Sequence, residues 1–259
     1  MPPALAFLPL IMKPPTSSLE SVPAPASSLN AGINELKNVA QFIAHKLEEM
    51  ILVGTLAPGQ HLVQTDIATQ FGVSRLPVRD ALKILEKREL AVTQPRRGVI
   101  VRPLNQQEVA DLYELRRLLE GHAFARSVRN FTDRDIADAE AILKRQESLT
   151  MGEFIEILDL DERFHIKLCS CCENEEIKAY LLKIWSRIRV LRSLERDWED
   201  WNKNSVKSHR GILAAIRAED YKKARQLLEE GIDRAERKIA ATVKALLERQ
   251  PAGTAIPAA

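Results

Sequence analysis

The hydrophobic pattern of the C-terminal half of the chain is that of a helical bundle. Apolar residues recur every three or four positions, which is the spacing of one buried helix face. Two such stripes are Leu112, Leu115 and Leu119, and Leu181, Ile184 and Ile188. Proline is absent between Pro103 and Pro251, so little in this stretch would break a helix. The pattern predicts six or seven antiparallel helices over residues 105–250.

Capping residues indicate where several of these helices begin. Asn105 and Thr132 are each followed three residues later by an acidic residue, as in a capping box. Ser205 is expected to cap the next-to-last helix, and Asp220 is expected to begin a long final helix.

The first part of the chain follows a different pattern. An amphipathic helix that ends at Gly54 is followed by two predicted helices, over about 65–70 and 74–88. Two β-prone runs, 91–94 and 99–101, then flank a Pro-Arg-Arg-Gly turn. Helix, helix, turn, helix and hairpin is the layout of a winged helix-turn-helix, whose last helix enters the major groove of DNA.

The chemistry of the third predicted helix suits DNA. Its basic residues Arg75, Arg79 and Lys83 recur every four positions and share one face. Ser74 can cap the helix, Leu76 could contact a thymine methyl group, and an arginine fork matches guanine. The hairpin tip, Arg96, Arg97 and Gly98, could reach the minor groove or its phosphates. The alternative is a solvated basic helix beside a basic hairpin.

Length and composition agree with a mostly α, two-domain protein. The 259 residues suffice for a winged helix-turn-helix over 31–104 and an all-α antiparallel bundle over 105–250. Seven of the 13 prolines fall in the first 25 residues, so residues 1–30 are expected to be a disordered tail, as is the segment 251–259. The formal charge of +2 by itself indicates no nucleic acid.

The chain is expected to be cytoplasmic. No apolar run approaches the length that a membrane helix needs, and the N-terminal apolar stretch is a poor signal peptide. Cys169, Cys171 and Cys172 are too few and too close for a disulfide framework, which suits a reducing compartment. Helix packing is the simplest role for these thiols, and a zinc site would lack a second pair of them.

Three residues of the predicted bundle could bind a metal ion. Asp161 and His165 are four residues apart and share one helix face, and His209 lies on a later helix. The alternative is that these histidines are structural, hydrogen-bonded residues. A metal-dependent enzyme built on this trio is a second alternative, but the chain has no nucleophile motif or phosphate-binding loop, and the winged helix would be unexplained.

The N-terminal motifs resemble those of the GntR family of bacterial regulators. They are Leu56-Ala-Pro-Gly, the run from Phe71 through Gly-Val-Ser-Arg-Leu-Pro-Val-Arg-Asp-Ala to Leu82, and Arg97-Gly-Val. Leu112-Tyr-Glu-Leu-Arg116 is similar to the opening of the FCD domain in the FadR-like branch of that family. The resemblance implies a homodimer that binds a palindromic DNA operator and is released or rearranged by a small organic acid.

The resemblance also implies roles for individual residues. The family's DNA contacts fall on Ser74, Arg75, Leu76, Arg79 and Gly98, although a small hydroxyl residue is more usual at the position of Leu76. Many FCD domains bind zinc, nickel or manganese through an aspartate and three histidines. Asp161, His165 and His209 match three of these ligands, and Gly231 stands in place of the fourth, with Glu230 as a substitute only if the helix register shifts. Arg116 is expected to pair with the effector's carboxylate, or else to form a structural salt bridge.

Overall fold

The computed structural model describes residues 29–195 and 197–248. The tails predicted over 1–30 and 251–259 lie outside the described residues, except that the first helix begins at Leu29. The described residues form a winged helix-turn-helix followed by a helical bundle, so the predicted fold class is confirmed.

The winged helix-turn-helix contains three helices and a hairpin. Its elements are α1 (Leu29–Leu52), α2 (Gln64–Phe71), α3 (Arg75–Lys87), β1 (Ala91–Gln94) and β2 (Gly98–Val101). Gly72, with φ of 66°, ends α2 in the left-handed conformation that glycine adopts without strain. The amphipathic α3 packs against α1 and buries Val78, Leu82 and Leu85 together with Ile43. Burial of this apolar face fixes which side of α3 points outward.

Six α-helices follow within the described residues, as the hydrophobic pattern predicts. They are α4 (Gln106–Ser127), α5 (Asp133–Glu147), α6 (Phe154–Leu168), α7 (Glu175–Ser193), α8 (Trp198–Arg217) and α9 (Tyr221–Glu248). The long α9 packs against α4 and α8, while α7 packs against α4 and α6. Their shared core includes Phe124, Phe164, Leu213 and Leu228. Four of these helices, α4, α6, α7 and α8, contribute polar residues to one buried cluster.

Most of the predicted helix starts are confirmed. The Asn105 side chain accepts bonds from the amides of Gln107 and Glu108, Thr132 forms a capping box, and Asp220 caps α9. The prediction for Ser205 is wrong, because α8 already begins at Trp198.

Two further details of the sequence prediction are corrected or refined. Leu115 belongs to no buried stripe, because it is an exposed residue of α4. Cys169 and Cys172 are buried and Cys171 is partly buried, and all three are free thiols, as expected for packing at the end of α6. None of the described helices is both long and apolar enough to cross a membrane.

The two parts of the chain meet where α1 packs against α7. Arg189 of α7 lies 3.6 Å from a carboxylate oxygen of Glu48 in α1. Arg187 of α7 pairs with Glu89, which follows α3. Val190 packs against the core of the winged helix-turn-helix. The helix α7 therefore joins the bundle to the N-terminal domain through both ion pairs and apolar contacts.

Candidate functional sites

The N-terminus of α3 is open and basic. Ser74 occupies the N-cap position, but contrary to expectation its hydroxyl accepts no bond from an amide of the first turn, so these amides have no side-chain partner. Arg75 and Arg79 are exposed, on the face of α3 that neighbours its buried face. Leu76 is 45% exposed and is therefore accessible to a partner. Lys83 lies 3.3 Å from Asp80, which offsets part of its charge.

The hairpin presents a second basic surface. The tip residues Arg96, Arg97 and Gly98 are all exposed. Gly98 has φ of 78°, which explains why the turn needs glycine there. Arg96 also has a positive φ, 64°, a conformation that costs a non-glycine residue about 1 kcal/mol. The backbone of the tip thus holds two arginines outward at the end of a two-stranded ribbon.

A second site lies inside the bundle, where the sequence-predicted Arg116, Asp161, His165 and His209 are brought together. These four residues come from α4, α6 and α8. Two further charged residues, Glu120 and Arg192, join them, and each of the six residues is at most 5% exposed. The full cluster is Arg116 and Glu120 of α4, Asp161 and His165 of α6, Arg192 of α7, and His209 of α8.

The two histidines face each other within the cluster. Their Nε2 atoms are 3.1 Å apart, and Nε2 of His209 lies 3.8 Å from Oδ1 of Asp161. Nδ1 of His165 donates to the Glu120 carboxylate, and its Nε2 atom faces His209. Ser205 donates a 2.7 Å hydrogen bond to Oδ1 of Asp161. Glu120 and Ser205 thus fix, through hydrogen bonds, the orientation of His165 and Asp161, which are potential metal ligands.

The buried charges set the protonation states. Burial lowers the pKa of His209 to about 3, and the nearby His165 acts in the same direction, so the His209 ring is neutral. Burial favours the neutral form of Asp161, but the charge of Arg192 and the hydrogen bond from Ser205 act against it, and the pKa of that carboxyl is lowered to about 2. Burial likewise opposes ionisation of Glu120, but Arg116 overcomes it and holds the pKa below its usual range.

Two buried arginines complete the cluster. Arg116 donates a 2.8 Å bond from Nε to Glu120, and its guanidinium lies 4.2 Å from the centre of the Trp185 ring. Arg192 lies 3.2 Å from Asp161 and 5.0 Å from the centre of the Trp201 ring. Nevertheless, Nη1 of Arg116 and Nε of Arg192 are buried without a hydrogen-bond partner. Unpaired buried donors of this kind favour an anionic ligand.

The donor set fits a divalent cation. One ligand atom from each of Asp161, His165 and His209 lies within 4.8 Å of the other two, and two imidazoles with a carboxylate are ligands that zinc and related ions accept. The two Nε2 atoms are within hydrogen-bonding distance of each other, and a cation between them would instead take both lone pairs. Gly231 lines the cavity beside the cluster and offers no fourth ligand. Glu230 is no substitute, because it accepts a hydrogen bond from Gln226 on the same helix.

Sequence reasoning missed Glu120 and Arg192 and misread Ser205 as a helix cap. Glu120 lies one helical turn beyond Arg116, a spacing that could have indicated a pair. Arg192 carries no comparable signal, since it is one of many basic residues on the bundle helices.

Two family models match the chain, one in each of the two domains seen in the structure. Residues 39–101 match the model for bacterial regulatory proteins of the gntR family, and residues 111–234 match the FCD domain. The chain is 33% identical over 167 residues to the Nta operon transcriptional regulator of Aminobacter aminovorans, covering 63% of this chain and 77% of that protein. It is 27% identical over 208 residues to the gluconate operon transcriptional repressor of Bacillus subtilis, covering 76% and 83% respectively.

Solved structures give the same result for the fold. A transcriptional regulator GntR from Rhodococcus sp. RHA1 superposes with a TM-score of 0.67 at 25% identity, covering 79% of this chain and 98% of that one. McbR of E. coli superposes with a TM-score of 0.65 at 21% identity, covering 81% and 98%.

Proposed function

The chain belongs to the GntR family of bacterial regulatory proteins and carries an FCD domain, and from this we propose a homodimeric regulator that reads a palindromic operator and responds to an organic acid. Chromosomal DNA as the target places such a regulator in the cytoplasm. The alternative of a metal-dependent enzyme has no support from the relatives, which are named as transcriptional regulators and repressors.

The observation that carries the DNA-binding proposal is the exposure of Arg75 and Arg79 on a helix whose neighbouring face is buried. In the proposed complex, α3 enters the major groove and these arginines contact guanine or phosphate. The unpaired amides after Ser74 face a phosphate, and Leu76 contacts a thymine methyl group. Arg96 and Arg97 contact the minor groove or its phosphates, with Gly98 permitting the turn that presents them.

Selection of bound sequences from random DNA duplexes tests this proposal. The wild-type protein is expected to enrich a palindrome, whose half-sites match the two copies of α3. Arg75→Ala and Arg79→Ala should each weaken binding to that sequence at least about thirtyfold, because each contact contributes about 1–3 kcal/mol and a dimer loses it twice.

Lys87→Ala is the matched control, since Lys87 is an exposed basic residue in the last turn of the same helix. It should change operator affinity little. Unchanged affinity in both arginine variants would show that α3 is not the recognition helix.

For the effector site, we propose that Asp161, His165 and His209 hold a divalent cation, which is zinc, nickel or manganese. When bound, the cation would supply a Lewis-acid site for a carboxylate of the effector. Glu120 fixes the His165 tautomer, and Ser205 orients Asp161. Arg116 donates to the effector carboxylate through the Nη1 group that has no partner inside the protein.

A further inference from the structure

The cavity above the buried cluster is far larger than a small organic acid requires. Its volume is about 880 Å³, which falls within the range of roughly 300–1,000 Å³ seen for pockets that hold drug-sized ligands. Gly211 and Gly231 leave parts of its wall without side chains, while Ile212, Leu227 and Leu228 give it an apolar lining. The space therefore suits a ligand with an uncharged body of several carbon atoms.

The floor of this cavity has one place for an anionic group. Arg116 and Arg192 line it, and their charges are offset by Glu120 and Asp161 respectively. Each arginine still has a buried nitrogen with no hydrogen-bond partner. Both nitrogens are enclosed by the protein, so each reaches an anion at the floor only after its guanidinium turns toward the cavity, where water would screen the pair little.

The rim of the cavity carries a second, separate set of cations. Lys207 of α8 and Arg234 and Arg237 of α9 line the cavity and are exposed. Within residues 29–195 and 197–248, none of these three pairs with a carboxylate, whereas Lys238 at the same rim pairs with Glu195 at 2.8 Å. Among the side chains of the cavity, the positive charge that no carboxylate offsets therefore lies at its rim.

Arg234 is held at the wall of the cavity. Its Nη2 donates a 2.8 Å hydrogen bond to Ser208, and both side chains lie beside the bare backbone of Gly231, within 3.8 Å of where a Cβ would stand. This contact links α8 to α9 and leaves the other nitrogens of the guanidinium available to a ligand.

We propose that the effector is an organic dianion that spans the cavity. One anionic group binds Arg116 and Arg192 at the floor, and the second, a carboxylate or a phosphate, binds the rim cations Lys207, Arg234 and Arg237. This inference rests on the proposed effector site and specifies its ligand class.

Isothermal titration of the full chain with matched pairs of probes tests the inference. Adipate is compared with hexanoate, and 3-phosphoglycerate with glycerate, so that each pair differs by the second anionic group. In at least one pair the dianion should bind at least about tenfold more tightly than the monoanion. The pair that responds distinguishes a carboxylate from a phosphate at the rim.

The double substitution Arg234→Gln and Arg237→Gln should remove the advantage of the dianion and change binding of the monoanion less than about twofold. Arg225→Gln is the control, because Arg225 is an exposed arginine of α9 that pairs with Glu229 outside the cavity. Equal binding within both pairs, an advantage that survives the double substitution, or no binding of either dianion would overturn the inference. Operator binding without ligand is measured in parallel, and its loss would count against the proposed function instead.

Discussion

Gly231 faces the buried histidine cluster from α9, where a larger side chain has room. A Cβ built there would lie 3.7 Å from Oγ of Ser208 and 3.8 Å from Nη2 of Arg234, which are ordinary contact distances. Gly231→His therefore introduces an imidazole without a backbone clash. It also replaces a glycine inside a helix, which by itself should stabilise the helix by about 0.3 kcal/mol.

If Asp161, His165 and His209 hold a metal, Gly231→His should tighten its binding. Elemental analysis of the purified protein is expected to find nearly one equivalent of zinc, nickel or manganese in the wild type. The variant should retain it against at least about tenfold more chelator, and His209→Ala should lose it. Absence of metal from the wild type and the variant, even after incubation with a modest excess, would contradict the metal site.

At the scale of single residues, the sequence identified the candidate metal ligands but not the residues that contact them. Spacing and family resemblance brought out Asp161, His165 and His209, because side chains four residues apart share a helix face. Arg192 could not be recognised, because a charged residue on an amphipathic helix is usually solvated and only tertiary packing buries this one. The roles of Glu120 and Ser205 depend on contacts between α4, α6 and α8, which no local pattern encodes.

Two helices, α6 and α7, connect the proposed effector site to the N-terminal domain. Arg192 of α7 contacts Asp161 in the site, and Arg189, one turn earlier, contacts Glu48 of α1. Arg189 also lies 3.5 Å from Glu162 of α6. Burial raises the pKa of Glu162 to about 7, although Arg189 opposes the shift. A displacement of α7 by a ligand would therefore be transmitted directly to α1, which packs on the proposed recognition helix.

Arg189→Ala should weaken this connection. It would leave Glu162 without its cation and Glu48 with Arg88 as its remaining partner, which should lower the free energy of unfolding by about 2 kcal/mol. All three tryptophans of the chain lie in the bundle, so their fluorescence reports on the bundle, whereas circular dichroism reports on both domains. As the denaturant concentration rises, the fluorescence and circular dichroism transitions should coincide in the wild type. In the variant they should occur at different denaturant concentrations.

Arg163→Ala provides the comparison for this measurement. Arg163 is 61% exposed and its contact with Asp159 is 4.0 Å, so its loss should cost less than about 0.5 kcal/mol. Coincident transitions in the Arg189 variant, with stability equal to that of the Arg163 variant, would mean that the ion pairs do not couple the domains.

The start of α8 illustrates which elements local sequence can predict. Asn105 and Thr132 make the capping bonds that their side chains suggested. At the start of α8, Asp197 makes no side-chain capping bond. The capping preference of serine instead predicted a start at Ser205, seven residues after the actual start at Trp198. The start of α8 is held by a tertiary contact, in which the ring of Trp198 lies 5.0 Å from that of Phe154.

For the whole molecule, exposed apolar residues on α4 and α7 indicate where a second copy would bind. Leu118 of α4 is 63% exposed, and Leu115, Tyr180 and Leu182 are also largely exposed. Single exposed apolar residues are ordinary, but Leu115 and Leu118 lie three positions apart on one face of α4, beside the exposed apolar residues of α7, and such a surface suits an interface. A second copy is the occupant that we propose, because a two-fold dimer presents the same surface from both chains and would match a palindromic operator.

Leu118→Glu should therefore convert the dimer to a monomer, since two buried carboxylates would face each other across a two-fold axis. Analytical ultracentrifugation should find twice the chain mass for the wild type and for the control Val53→Glu, which changes an exposed apolar residue outside this surface. The monomer should also lose most of its operator affinity, because each recognition helix then binds a half-site alone, without the effective concentration that the linked partner provides. A variant that remains dimeric would move the interface elsewhere, and a monomer with unchanged operator affinity would contradict the palindromic mode of binding.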